Sequence, residues 1–203
     1  MSPHALIVVW VFSALTSWTL TPKDPGSMGV MEQARRTVTQ EVIDVAYDPT
    51  EAPLFKGPDG RARTAILLGV IATLETRLAA HVRQGRCKTG ECDPNGSGGH
   101  DAVGLMQIHV GEDGILLTQK GYRRCSRRDA SCLHESDLIR HEEVAIRLAL
   151  HMVRQSGLAS YCGEPVEGPV TQRRKNVLEA WLTKHPAPVA DDAYLSDTET
   201  ASK

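Results

Sequence analysis

The residue whose type and position most clearly suggest catalysis is Glu75, a lone carboxylate inside the apolar stretch 64–82. If this stretch is a helix, the neighbours of Glu75 on the same face, at i−7, i−4, i+3 and i+4, are Leu68, Ile71, Leu78 and Ala79. A carboxyl group buried among aliphatic side chains resists ionisation, so it can hold a proton near neutral pH and deliver it to a leaving oxygen. The alternative is an ordinary helical glutamate that reaches solvent beside Arg77.

Two further segments follow Glu75 in chain order. A polar, glycine-rich segment leads to a run of five residues, Gly104, Leu105, Met106, Gln107 and Ile108. Later, residues 158–163 read Leu-Ala-Ser-Tyr-Cys-Gly and contain Tyr161. The Glu-Thr pair at 75–76, the Gly-Leu-Met-Gln run and the tyrosine segment together resemble the lysozyme-like superfamily. The similarity is strongest to the catalytic domain of soluble lytic transglycosylases.

The resemblance implies an enzyme that cleaves the MurNAc-GlcNAc β-1,4 bond of peptidoglycan and leaves a 1,6-anhydro end. It implies that Glu75 acts as both acid and base, that residues 104–108 line the sugar cleft, and that Tyr161 helps to orient Glu75. It implies neither a cofactor nor a metal ion. The alternative for Met106 and Ile108 is simple core packing, while Gly104 permits a tight backbone approach.

The sequence also departs from the transglycosylase pattern. Thr76 stands where serine is usual, and Cys162 stands where asparagine is usual. The long segment before Gly104 is similar to that of goose-type lysozymes, which would hydrolyse the same bond. Hydrolysis needs a second carboxylate, and the candidates are Asp93 and Asp101, whose alternative role is loop turn formation. A non-catalytic peptidoglycan-binding module and a disulfide-stabilised structural or inhibitor protein are the other open possibilities.

Composition bounds the fold and the class of partner. The chain of 203 residues is long enough for one domain with terminal extensions. Its formal net charge of −2 argues against a dedicated nucleic-acid binder. Aromatic residues make up only 4%, so the core must consist mainly of Leu, Val, Ile and Ala, which suits helix packing. We therefore expect a mainly α, lysozyme-like helical domain whose loops are pinned by disulfides.

The cysteines indicate an oxidising compartment. Close spacing suggests the pairs Cys87–Cys92 and Cys125–Cys132, with Cys162 left outside both pairs. Zinc binding is the alternative, but the spacing within each pair is poor for a zinc knuckle. The cysteines and the resemblance together predict an exported protein, periplasmic or extracellular, that contacts peptidoglycan glycan strands and a cell-envelope protein complex.

Four zones are expected along the chain. Residues 1–28 read as a signal peptide, or an N-terminal membrane anchor, followed by a linker; the alternative for their apolar run is a short buried helix. Residues 29–46 form an N-terminal helix, residues 47–185 the lysozyme-like domain, and residues 186–203 a disordered polar tail.

Periodicity and capping signals place the helices of the domain. The central helix is predicted over 64–82, with Thr64 as its N-cap and Gly85 beyond its end. A helix is predicted from Ser136 to Gln155, stopped by Gly157, and a last amphipathic helix at 171–185. The residues that follow Ile108 are predicted to be loop.

Overall fold

The computed structural model describes residues 1–19, 25–86, 102–110, 113–118, 121–126, 128–163 and 165–195. The helices are α1 Pro3–Trp18, α2 Pro25–Tyr47, α3 Gly60–Thr76, α4 Ala80–Arg83, α5 Glu135–Arg140, α6 Glu142–Tyr161 and α7 Pro169–Lys184. Two antiparallel hairpins pair β1 Ala102–Val103 with β2 Ile108–His109, and β3 Ile115–Thr118 with β4 Gly121–Arg124. The prediction of a mainly helical fold is confirmed.

Helix α3 lies at the centre of the fold and packs against α1, α2 and α7. Its middle, residues 64–73, is buried on all sides, and Ile66, Leu68 and Ile71 have no exposed surface. A helix without a polar face must be surrounded by other elements, which explains this position. Gly69 allows α1 to approach closely, because a Cβ there would lie 3.1 Å from a methyl carbon of Leu15.

The central helix differs from its predicted bounds at both ends. It begins at Gly60, where a side chain could not fit because a Cβ would lie 2.3 Å from the carbonyl oxygen of Phe55. Thr64 is therefore inside the helix and not its N-cap; its hydroxyl donates to the carbonyl of Gly60 at 2.8 Å. The helix ends at Thr76, six residues before the predicted end, and α4 follows as a separate short helix.

The apolar N-terminal segment forms α1, which is part of the core. Ile7, Val11, Ala14 and Leu15 have no exposed surface and pack on α2 and α3. In the structure this segment is therefore a helix packed against the rest of the fold. Among the described residues, no helix is both long and apolar enough to cross a lipid bilayer.

The C-terminal helices largely follow the predicted pattern. The stretch predicted as 136–155 is two helices, α5 and α6, separated at His141. Gly157 adopts φ 80° and ψ 160°, which are not helical, so the first helical segment of α6 stops there as predicted and a second segment continues up to Tyr161. Helix α7 buries Leu178 and Trp181 on its inner face, as expected. The β3–β4 hairpin occupies chain predicted to be loop, since four-residue strands carry too little alternation to be recognised.

A buried ionic cluster holds the loop between α2 and α3 against α6. Glu51, which is 7% exposed, accepts from His151 Nε2 at 2.9 Å, from Arg154 Nη1 at 3.0 Å and from Arg147 Nη1 at 3.1 Å. Arg147 also donates to Asp48 at 2.6 Å. Burial alone would raise the pKa of Glu51, but the hydrogen bonds from His151 and Arg154 outweigh it and hold this pKa below its ordinary value. The cluster fixes the chain immediately before α3.

The segment after α7 caps the beginning of α3. Asp59 at the N-cap position makes no side-chain capping bond. Instead, the carboxylate of Asp191 accepts from the backbone N–H groups of Arg61 at 2.7 Å and Ala62 at 3.2 Å. Nearby Tyr194 is 4% exposed. Residues 186–195 are therefore not the disordered tail that composition predicted; residues 196–203 lie outside the described part of the chain.

We expect Asp191→Ala to lower the free energy of unfolding by about 1–2 kcal/mol, as for loss of a helix N-cap. Two backbone donors of α3 would lose their acceptor, and so would the hydroxyl of Tyr47, which donates to Asp191 at 3.1 Å. Urea denaturation measures the change. The matched control is Asp192→Ala, because Asp192 bonds only its neighbour Ala193 among the hydrogen bonds described. Equal stability of the two variants would contradict the remote cap.

Candidate active site

Glu75 lies in the last turn of α3 and forms an ion pair with Arg174 of α7. The Arg174 Nη2 group donates to Glu75 Oε1, and its Nη1 group donates to the carbonyl of Val170 at 3.3 Å. The Arg174 side chain is 5% exposed, whereas that of Glu75 is 20% exposed. The carboxylate thus has a buried cation on one side and solvent access on the other.

This pairing corrects the expected surroundings of Glu75. Leu68 and Ile71 are buried on α3 as predicted, but the helix ends at Thr76, so Leu78 and Ala79 do not continue the same face. A guanidinium in contact with a carboxylate favours its ionised form. The carboxyl group therefore contacts a guanidinium as well as aliphatic side chains.

Sequence reasoning missed Arg174, although a signal for it exists. The buried residues of α7 are Thr171, Arg174, Leu178 and Trp181. Their spacing of three to four residues marks the inner face of the helix. An arginine on such a face requires an anionic partner, because burying an unpaired charge is costly. Glu75, a carboxylate in an apolar stretch of sequence, is one candidate for that partner.

The turn after Glu75 has an unusual backbone. Arg77 and Leu78 adopt φ of 50° and 57°, the left-handed region that ordinary residues rarely occupy. The Thr76 hydroxyl supports this turn, because it donates to Ala72 O at 2.9 Å and accepts from the N–H of Leu78 at 3.1 Å. Such strain costs about 1–3 kcal/mol per residue and clusters at functional sites. The hydroxyl of Thr76 thus ends the helix directly beside Glu75.

A cavity of about 540 Å³ opens beside Glu75, within the roughly 300–1,000 Å³ range of ligand pockets. The end of α3, the turn after it and α4 form its described walls, with Glu75, Thr76, Arg77 and His81 as the polar members. The ion pair between Arg83 and Glu142, both 13% exposed, ties α4 to α6. Burial and the charge of Glu142 raise the pKa of nearby Glu41 to about 7, with Arg83 opposing them.

The Gly-Leu-Met-Gln run forms the turn of the β1–β2 hairpin. Gly104 has φ 66°, and a Cβ there would lie 3.1 Å from the carbonyl oxygen of Leu138. Gln107 also has positive φ, and its side-chain amide donates to Gly104 O at 2.8 Å. Leu105, Met106 and Ile108 are buried, with at most 1% exposure. Their side chains are therefore part of the core, and Gln107 closes its own turn.

Tyr161 connects this turn to Glu75. Its hydroxyl donates to the carbonyl of Met106. Burial, and then the negative charge of Glu75, raise the pKa of Tyr161 well above its ordinary value, while Arg174 opposes them. The phenol is therefore a neutral donor across the working pH range. The structure thus brings together the three segments that the sequence singled out: the end of α3, the 104–107 turn and the end of α6.

The remaining predicted residues divide into two groups. Cys125 and Cys132 form a disulfide, which confirms that pairing. Cys87, Cys92, Asp93 and Asp101 lie outside the described residues. The backbone N–H of Cys162 donates to Leu158 O at 3.0 Å and helps to end α6. Within the described ranges, no group of three or more His, Cys, Asp or Glu side chains is arranged to hold a metal ion.

Comparisons of this chain with family models, with curated proteins and with solved structures give no match. The chemistry of the site therefore has to be derived from its own residues. These are an ion-paired carboxylate beside a cavity, a buried guanidinium, a strained turn and a tyrosine that braces a neighbouring hairpin.

Proposed function

We propose that this protein is an exported, lysozyme-like lytic transglycosylase that cleaves the MurNAc-GlcNAc β-1,4 bond of peptidoglycan. The observation that carries the proposal is that Tyr161 bonds the 104–107 turn and lies within the electrostatic influence of Glu75, which itself lines a cavity. These segments are far apart in sequence, and their types and order are those that resemble the transglycosylase domain. Periplasmic or extracellular action agrees with the Cys125–Cys132 disulfide.

The chemistry requires one carboxyl group in two protonation states. Protonated Glu75 gives its proton to the glycosidic oxygen as the bond from that oxygen to the anomeric carbon breaks. The resulting carboxylate then takes the proton of the muramic acid 6-hydroxyl, whose oxygen bonds to the same anomeric carbon. Glu75 ends protonated, no water is consumed, and the product carries a 1,6-anhydro ring. Attack within one sugar benefits from proximity.

The other residues shape the site around that step. Tyr161 donates a hydrogen bond to the carbonyl of Met106, and Gln107 donates one to the carbonyl of Gly104. Both side chains therefore hold the hairpin turn in place. Because the side chains of Leu105, Met106 and Ile108 face the core, contacts with sugar on this side come from the backbone of the turn. This refines the expectation that all five residues contact substrate.

One observation favours a second function. A permanent ion pair between Glu75 and Arg174 would leave the carboxyl group without a proton to give. A non-catalytic module that binds peptidoglycan and holds the glycan beside this pair fits the same geometry. Binding of insoluble peptidoglycan without release of soluble fragments would identify this function.

Digestion of purified peptidoglycan, followed by mass spectrometry of the soluble muropeptides, tests the proposal. We expect anhydro ends, which are lighter than reducing ends by one water. The double variant Asp93→Asn/Asp101→Asn should keep most of the activity, because neither carboxylate has a role in the anhydro-forming route. Reducing ends, with loss of turnover in that folded variant, would instead support a goose-type hydrolase that uses a second carboxylate.

A further inference from the structure

We propose that Arg174 is a positioning residue that keeps Glu75 ionised at rest and thereby restricts glycan cleavage to acidic pH. This inference rests on the proposed function and adds the regulation of its central carboxyl group. The starting observation is the ion pair between α7 and the end of α3.

The guanidinium of Arg174 is buried and has few hydrogen-bond acceptors. Its side chain is 5% exposed, and its described hydrogen bonds go to Glu75 and to Val170 O. Among the described residues, its Nε has no hydrogen-bond acceptor. The carboxylate of Glu75 therefore compensates the buried charge, and protonating Glu75 would remove that compensation. An uncompensated buried charge is strongly unfavourable.

Three further groups described near Glu75 are Arg77, His81 and Tyr161, and the thiol of Cys162 lies near Tyr161. Arg77 and His81 line the same cavity from the turn and from α4. Tyr161 approaches from α6, and its raised pKa keeps it uncharged. Of the contacts described for Glu75, the ion pair with buried Arg174 is the closest, and it favours the carboxylate form.

This charge state affects the two halves of the reaction differently. The first half needs a proton on Glu75, and the second half needs the carboxylate. Arg174 opposes the first and supports the second, so the cycle starts only after Glu75 takes a proton from solvent. The rate should therefore rise as the pH falls, until protonation of Glu75 is complete or the fold is lost.

The test compares Arg174→Gln and Arg174→Lys with the wild type across about pH 4 to pH 8. Removing the cation should move the pH dependence of kcat/KM upward by roughly one to three pH units, the effect of an adjacent opposite charge. Arg174→Lys keeps the charge and should stay close to the wild type. Arg173→Gln, at the exposed neighbouring position of α7, is the matched control and should leave the profile unchanged.

A structural role alone would change stability but not the position of the profile. An unmoved profile in folded, active Arg174→Gln would therefore overturn the inference. If that variant does not fold, NMR titration of the wild-type Glu75 carboxyl carbon decides: ionisation throughout neutral pH supports the inference, and protonation there overturns it. Failure of the wild type to cleave glycan at every pH is distinguishable, because it removes the proposed function itself.

Discussion

Glu75→Gln should lower glycan cleavage by at least about 10²-fold, the loss expected for a general acid or base. Glutamine keeps the shape of the side chain and can still accept a hydrogen bond from Arg174, but it has no proton to transfer at working pH. The measurement is the rate of release of soluble muropeptides. Glu32→Gln, a surface variant on α2 whose partner is Arg36, is the control and should retain full activity.

Stability must be measured alongside this activity. Glutamine cannot compensate the buried guanidinium of Arg174, so Glu75→Gln should also unfold more easily. The double variant Glu75→Gln/Arg174→Met removes both charges and should recover stability, because apolar replacements of a buried pair are often neutral or better. It should remain inactive. Full activity in either folded variant would remove Glu75 from the mechanism.

The second large effect is expected at the ionic cluster around Glu51. Glu51→Gln should lower the free energy of unfolding by about 1.5–3 kcal/mol, because the buried carboxylate that it removes accepts hydrogen bonds from His151, Arg147 and Arg154. His151 and Arg154 both lose a charged acceptor, and the loop that precedes α3 loses its attachment to α6. Urea denaturation near neutral pH gives the difference.

The control and the pH dependence make this prediction specific. Glu143→Gln removes an exposed partner of Arg147 and should cost less than about 0.5 kcal/mol. Because the pKa of Glu51 is lowered in the folded state, its contribution is fully present above the ordinary value of 4.5. It is lost as the pH falls through the lower folded value. In Glu51→Gln the free energy of unfolding should therefore depend less on pH in the acid range. Equal stability of Glu51→Gln and Glu143→Gln would contradict the stabilising role of the cluster.

The sequence predicts most of the helices because their apolar spacing is regular. Helix α7 and the inner face of α6 follow that spacing, and both are present. The end of α3 could not be read in this way. Arg77 and Leu78 are ordinary helix formers with no glycine or proline beside them, yet they adopt left-handed backbone because the Thr76 hydroxyl and the packing of α4 support the turn.

The segments that form the candidate site could be predicted from the sequence, but the ion pair within it could not. Glu75, the 104–107 turn and Tyr161 were identifiable from residue type and order. The partner of Glu75 was not identifiable, because Arg174 lies 99 positions away in the sequence. Its place on the inner face of α7 can be recognised only if polar residues, such as Thr171, are allowed on that face. Long-range ion pairs depend on tertiary packing, which periodicity does not encode.

The remote cap on α3 has a consequence for synthesis on the ribosome. The acceptor for the N–H of Arg61 is Asp191, which is translated 130 residues later. While the chain emerges, the first turn of the helix that carries Glu75 must use water in place of its final partner. Arg174, the partner at the other end of the same helix, is translated 99 residues after Glu75. Both ends of α3 therefore gain their native contacts only after these later segments have been translated, so the nascent chain carries no assembled site before then.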